Sequence, residues 1–246
     1  MKDLSWLKTE YIAHRGLYNK DQSIPENSIL SFNEALKHNY AIECDINVLK
    51  DGTVVVYHDK DLVRACNINK LLGEVTYDDI KTLTLFETNE KIPLLTDLLT
   101  LVAGRKPLLI ELKPHGDWEL LVKNTVSILK AYKYPYALFS FNPKIVMWLK
   151  KNEPNIIRGQ ITSYFKEDKN MKSLTKYLMR SLFFAKFNKP DFISYHIKDL
   201  PNKYLDKAYK KGLVCISYTA RTDLELNFVR EKYHNSVFEY FKPAIK

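Results

Sequence analysis

The sequence predicts an α/β chain built as one (β/α)8 barrel. Three observations predict it. Short β-rich runs alternate with helical patterns in about eight units, which implies βα repeats and a parallel sheet. The 246 residues are close to the roughly 250 that such a barrel takes. No linker-like gap, internal repeat or low-complexity segment interrupts them. The expectation is therefore a single domain over 1–246, with a short insertion at about 59–93. A doubly wound open sheet is the alternative.

Each element has its own signal. Residues 11–14 read as a strand. Residues 27–38 read as a helix carrying apolar Ile29, Leu30, Phe32, Ala35 and Leu36. Residues 41–48 and 53–57 read as strands joined at Lys50-Asp51-Gly52, whose Asp-Gly is a turn signal. Residues 76–85 and 94–102 look helical, and 108–113 is an apolar run ending in charge, as a buried strand would. A helix at 117–131, a strand at 136–141 and a helix opened by Pro143 and running to 151 follow. The remaining strands are 156–161, 192–195, 214–218 and 236–240, alternating with helices at 174–187, 202–210 and 222–231.

Composition excludes several classes. The seven glycines are so far apart that neither a dinucleotide-binding glycine fingerprint nor a P-loop can be written. Any phosphate must be gripped in another way. Cys44, Cys66 and Cys215 are odd in number and widely spaced, which speaks against a disulfide framework or zinc ribbon and for a reducing compartment. The first residues, MKDLSWLKTEYIAHRG, carry charges every few positions and read as no signal peptide. No apolar run is long enough to span a membrane. Charge is uneven: residues 1–123 carry 15 Lys and Arg against 19 Asp and Glu, residues 124–246 carry 23 against 10. Such asymmetry fits an anionic partner or, equally, a lysine-rich soluble surface.

In a parallel barrel the chemistry gathers at the C-terminal ends of the strands. His14 and Arg15 close the first strand. Glu43 and Asp45 lie two apart near the end of the second, so period-two alternation puts both on one face and turns Cys44 away. His58 and Asp59 follow the Val54–Tyr57 run. Glu111 and Lys113 end the next strand, again on one face. Three converging carboxylates repel one another, and a hard divalent cation would relieve that. Arg15 and Lys113 can then hold an anion, while His14 and His58 exchange protons near neutral pH. Singly, each residue reads as well as a structural histidine or a salt bridge. Together they make a phosphodiester-cleaving set. His38, His115, His196 and His234 carry no assigned role, although His115 is placed for the rim of a site. Trp6, Trp118 and Trp148 read as packing residues.

Five local strings occur in a telling order. They are Ile12-Ala13-His14-Arg15-Gly16, Pro25-Glu26-Asn27-Ser28, Glu43-Cys44-Asp45, the run Asp51-Gly52-Thr53 to Tyr57-His58-Asp59, and Glu111-Leu112-Lys113. In order and spacing the chain resembles the glycerophosphodiester phosphodiesterase family, most clearly from about residue 11 to 114. The resemblance implies a TIM barrel of the phospholipase-C-like phosphodiesterase type. It implies a metal-dependent phosphoric diester hydrolase that releases glycerol 3-phosphate and an alcohol, with a place in glycerol and lipid metabolism. The family's metal ligands fall on Glu43, Asp45 and Glu111, and the cation implied is Mg²⁺ or Ca²⁺, with Mn²⁺ as a further option. Its acid–base histidines fall on His14 and His58, and its phosphate-binding cations on Arg15 and Lys113. Glu26 and Asn27 match a supporting element, and Arg64 sits in a similar Leu-Val-Arg string. In such enzymes the neighbouring glycerol 2-hydroxyl attacks and a cyclic phosphate is then opened by water. The first assignment of roles is His14 as base and His58 as acid. Tyr218 stands where relatives often carry Trp, and Ser236–Tyr240 matches the family's last strand only loosely, which bears on substrate identity.

One stretch is not absorbed by this reading. Residues 164–189 hold seven basic and two acidic residues. Met171, Leu174, Leu178, Leu182 and Ala185 form a stripe at helical spacing, with Tyr177, Phe183, Phe184 and Phe187 partly outside it. The plain reading is a barrel helix with its stripe inward. The sharper one is an amphipathic element touching anionic membrane, which goes with a lysophospholipase D-type enzyme on lipid substrates. Nucleic acid is not expected, since no recognition motif accompanies the charge. A non-catalytic binding protein is a third alternative, disfavoured by the intact residue set. The location expected is cytoplasmic, with peripheral contact at the inner membrane face as an option.

Overall fold

A computed structural model describes residues 2–244; the expected domain bounds 1 and 246 lie outside them. The chain forms two compact units, one of residues 12–136 and one of residues 2–11 with 137–244.

The first unit is organised on strand β2. Strands β1 (Ile12–Ala13), β2 (Ala41–Val48), β3 (Val54–Val56) and β4 (Leu108–Leu112) are all buried along their length. β3 is wholly apolar and β4 nearly so, as strands covered on both faces require, whereas β2 places Glu43, Asp45 and Asn47 on one buried face. β4 runs parallel along one edge of β2, with Asp45 opposite Glu111. The other edge is shared: β1 pairs in parallel with Ala41 and Ile42, and β3 pairs antiparallel with Ile46 to Val48. β1 is thus short because β3 takes over its edge, and the chain turns away at Arg15-Gly16. Gly16 has φ +76, and a Cβ there would stand 2.8 Å from the Ser31 backbone carbon. Only glycine fits that corner. Ser28 caps the helix Ile29–Lys37 by accepting from the Ser31 amide.

The insertion has a small core of its own. Leu62, Ala65, Leu72, Val75, Ile80, Leu85 and Ile92 pack with Leu49, Val55 and Tyr57. The helix expected over 76–85 shrinks to one turn, Tyr77–Ile80. The Leu85 amide donates to the Glu90 carbonyl and Thr84 bridges Lys91, so this segment pairs with an extended partner instead.

The second unit repeats strand and helix in sequence order. Strands β5 (Tyr136–Ser140), β6 (Ile157–Thr162), β7 (Phe192–His196), β8 (Val214–Ala220) and β9 (Asn235–Phe238) each pair in parallel with the next. The helices between them start on Asn142, Asn202 and Thr222, whose side chains accept from first-turn amides. Gly159 on β6 leaves room for the Phe192 ring on β7, which a Cβ would strike. The helix expected over 174–187 is broken. Ser173–Arg180 ends where Leu182 takes φ +59, and a short helix, Ala185–Asn188, follows. Asn188 is buried and donates to Gln160 Oε1 at 2.8 Å, so a tertiary hydrogen bond fixes where the second piece lies. The stripe is only partly inward: Leu174 is 68% exposed, Met171, Leu178, Leu182 and Ala185 are half-buried, and the fully buried side chain of the first piece is Met179. Among the described residues no helix is long and apolar enough to cross a membrane.

Candidate active site

The carboxylate cluster follows from strand register. Glu43 and Asp45 alternate on β2, and Asp45 faces Glu111 across the β2–β4 ladder, so all three side chains leave the sheet on one side. One oxygen from each lies within 4.8 Å of the others, and all three residues are buried. Burial drives Glu43 well above the usual carboxylate range, and the charges of Asp45 and Glu111 add to it. Burial lifts Glu111 to about 7, against the pull of Lys113 and with the push of Asp45. Asp45 goes the other way: burial opposes its charge, but Lys113 and Arg15 hold it well below its ordinary value.

Two cations stand in the cluster. Lys113 Nζ lies 2.8 Å from Glu111 Oε1 and 3.1 Å from Asp45 Oδ1. Arg15 Nε lies 3.0 Å from Asp45 Oδ2, and its Nη1 donates to Glu26 Oε1 at 2.8 Å. These contacts with Asp45 are ion pairs by distance, yet Asp45 Oδ1 and Arg15 Nε have no hydrogen bond of good angle. Arg15 sits at φ +53, a left-handed backbone that is costly for a side-chain-bearing residue. Its amide is thereby aimed at Glu43 Oε2, 3.0 Å away. Asn27, also left-handed, clamps Asp45 twice: Nδ2 donates to Oδ2 at 3.0 Å and Oδ1 accepts from the Asp45 amide at 3.2 Å.

The histidines approach from two loops. His14 Nε2 is 3.9 Å from Glu43 Oε2. His58 Nδ1 is 2.6 Å from Asp59 Oδ1, which fixes the ring and leaves Nε2 for the site. Burial pushes His58 down to about 4, although the charge of Asp45 and the Asp59 hydrogen bond favour its proton. Asp59 continues into a charged chain. Arg64 Nε donates to Asp59 Oδ2 at 2.7 Å, and its two terminal nitrogens donate to both oxygens of Glu26 at 2.6 and 3.2 Å. Glu26 is held low by Arg15 and Arg64 despite its burial. Asp59 and Arg64 as a brace behind His58 were missing from the sequence reading; the signals were the His-Asp dipeptide and the one-turn helix Val63–Cys66 that brings Arg64 back. His115 is half-buried, and burial and Lys113 lower its pKa.

The donor set suits a hard divalent cation. Glu43, Asp45 and Glu111 offer oxygens only. Counting Glu26 and Asp59, five carboxylates face Arg15, Lys113 and Arg64; with Glu43 and Glu111 deprotonated, as ligation requires, two negative charges are left over, which one divalent ion would balance.

Tyr218 belongs to the second unit. Its ring lies against Phe141 and His196, and its hydroxyl donates to the Thr162 carbonyl at 3.1 Å. Tyr218, Phe141 and His196 line a cavity of about 390 Å³ with Phe165 and Asp199. Cys44, Cys66 and Cys215 are free thiols, Cys44 and Cys215 buried.

An oxygen cluster for a divalent ion, flanked by two cations and two imidazoles at strand ends, is the equipment of a phosphate-ester hydrolase. Comparison with known proteins gives the family. The model of the glycerophosphoryl diester phosphodiesterase family matches residues 14–238, and the chain belongs to that family of phosphoric diester hydrolases. It is 26% identical over 208 residues to the uncharacterised protein YqiK of Bacillus subtilis, covering 79% of this chain and 82% of that one. It is 33% identical over 135 residues to a glycerophosphodiester phosphodiesterase of Bacillus altitudinis, covering 52% of this chain and 48% of that one. Its fold is similar to a phosphodiesterase of Oleispira antarctica solved with the product sn-glycerol-3-phosphate, at TM-score 0.80 and 21% identity, covering 96% and 94% of the two chains. A glycerophosphodiester phosphodiesterase of Parabacteroides distasonis gives TM-score 0.74 and 22% identity, covering 98% and 95%. The fold is the (β/α)8 barrel, with β3 the antiparallel strand outside the parallel series.

Proposed function

We propose that the chain is a single-domain, divalent-metal-dependent glycerophosphodiester phosphodiesterase that releases glycerol 3-phosphate from small soluble diesters. The observation that carries it is the buried triad Glu43, Asp45 and Glu111 with Arg15 and Lys113 against it. The product bound by the Oleispira relative supports the substrate class. Held by those carboxylates, Mg²⁺, Ca²⁺ or Mn²⁺ would supply charge neutralisation and polarisation of a phosphoryl oxygen. Arg15 and Lys113 bind the remaining phosphoryl oxygens and are already in place before the charge develops.

The histidines move the protons. His58 takes the base: Asp59 fixes Nδ1–H, so the Nε2 lone pair is free to accept the proton of the attacking glycerol 2-hydroxyl. His14, beside Glu43, donates to the leaving alcohol oxygen. This order reverses the first assignment, and the Asp59 contact is what favours it. As the new O–P bond forms, the bond to the alcohol breaks. Water then opens the cyclic phosphate with the two roles exchanged.

The test is an assay of purified protein with Mg²⁺, Ca²⁺ or Mn²⁺ on glycerophosphocholine and lysophosphatidylcholine side by side. Release of glycerol 3-phosphate from the first supports the proposal. Turnover of the second alone replaces it with a lysophospholipase D reading, and turnover of neither with a binding protein. On substrates with an activated leaving group, His14→Ala should be partly rescued and His58→Ala should not; equal loss in both contradicts the assignment.

A further inference from the structure

The surface of residues 169–189 has features that the proposed hydrolysis does not use. Four large apolar side chains stand in water there: Leu174 at 68%, Tyr177 at 48%, Phe183 at 37% and Phe187 at 50% exposure. Leu174 and Tyr177 are three apart on the helix Ser173–Arg180 and so share a face. Phe183, Phe184 and Phe187 form a ring cluster, with centroids 5.7 and 5.4 Å from Phe183. The same span holds Lys169, Lys172, Lys176, Arg180, Lys186 and Lys189 and no acidic residue. Arg180 lies 5.6 Å from the Tyr177 ring and Lys186 5.5 Å from the Phe183 ring, so cations and exposed rings are interleaved.

Exposed apolar side chains clustered with charge of one sign mark an interaction site. The uniform positive charge selects the occupant. A second copy of this chain would set cations against cations if it met the same face, as a two-fold dimer requires. A bilayer rich in anionic lipid satisfies both features, since acidic headgroups meet the lysines and the acyl boundary receives Leu174, Tyr177, Phe183 and Phe187.

We propose that the face formed by residues 169–189 docks this protein on an anionic lipid surface. The docking is reversible and electrostatically assisted, because the apolar contribution comes from four side chains and not from a spanning segment. It is independent of the hydrolytic reading, and neither of its variants alters a residue placed in the active site.

Co-sedimentation of the full chain with vesicles of phosphatidylcholine, with and without phosphatidylglycerol, tests it. Binding is expected to the anionic vesicles at about 0.1 M salt and to weaken at about 1 M, where the screening length falls from about 10 Å to about 3 Å. Leu174→Asp with Phe187→Asp, and separately Lys176→Glu with Lys186→Glu, should each weaken it about tenfold or more. Lys207→Glu with Lys210→Glu, the same charge change on another helix, should leave it within about threefold. Should the aspartate pair unfold the protein, the glutamate pair and its control still decide. No binding of the unaltered chain at either salt overturns the proposal. So does equal loss in the control variant, or a self-association abolished by Leu174→Asp with Phe187→Asp in a chain that does not bind vesicles.

Discussion

Asp59 touches no candidate ligand, yet it decides what His58 can do. Its carboxylate holds the imidazole at 2.6 Å and is itself held by Arg64. Asp59→Asn keeps the shape and frees the tautomer. It is expected to lower kcat about 100-fold with KM within about threefold. A change confined to KM would make Asp59 a substrate-binding group instead. His58 also leaves a mark on stability. Its folded pKa of about 4 lies below the unfolded value of 6.5. A depressed histidine contributes stability that is present above pH 6.5 and lost as pH falls through about 4. In His58→Gln that loss is absent, so in acid melts the unaltered protein should lose ground to the variant between pH 6.5 and 4. Parallel melting curves over that window would contradict the buried, neutral imidazole.

Elements carry these residues, and their corners set the precision. The turn at Arg15-Gly16 exists because β3 displaces β1 from the edge of β2. Gly16→Ala must strain a φ of +76 and push Ser31 aside. It is expected to cost about 2–4 kcal/mol in urea unfolding and to reduce activity, because His14 and Arg15 move with it. Gly116→Ala, at φ +81 but with nothing within 4 Å, bears strain alone and should cost about 1 kcal/mol. Equal costs would deny the packing term. Much of this level was legible in the sequence. The bounds 41–48 of β2 and the shared face of Glu43 and Asp45 follow from alternation, a local property. The break at Leu182, the shortened helix at Tyr77–Ile80 and the Asp59–Arg64–Glu26 chain were not legible, since helical periodicity does not name hydrogen-bond partners: Gln160 for Asn188 and Glu26 for Arg64 lie far along the sequence, and Glu90, close to Leu85, turns its segment extended. The exposed Leu174 was misread for a related reason: helical spacing shows a stripe but not which way it faces.

For the whole molecule, a cation held by the triad would be thermodynamically linked to the stability of the fold. Glu111, raised to about 7, has the opposite sign to His58: its contribution is full below the unfolded value of 4.5 and lost as pH rises through about 7. Above that pH Glu111 is ionised beside Asp45, and a bound divalent ion relieves that pair with one proton fewer to displace. The rise in melting temperature on adding Mn²⁺ or Ca²⁺ is therefore expected to be larger at pH 8 than at pH 5.5, and a pH-independent rise would place the ion elsewhere. The central claim is that this buried triad makes the chain a metal-dependent phosphodiesterase. It is tested most directly by glycerol 3-phosphate release from glycerophosphocholine, before and after chelation and metal return, in the unaltered chain and in Asp45→Asn. Release that stops on chelation, returns with the metal and is absent in Asp45→Asn is the expected result. Release that persists through chelation, or in Asp45→Asn, would contradict it.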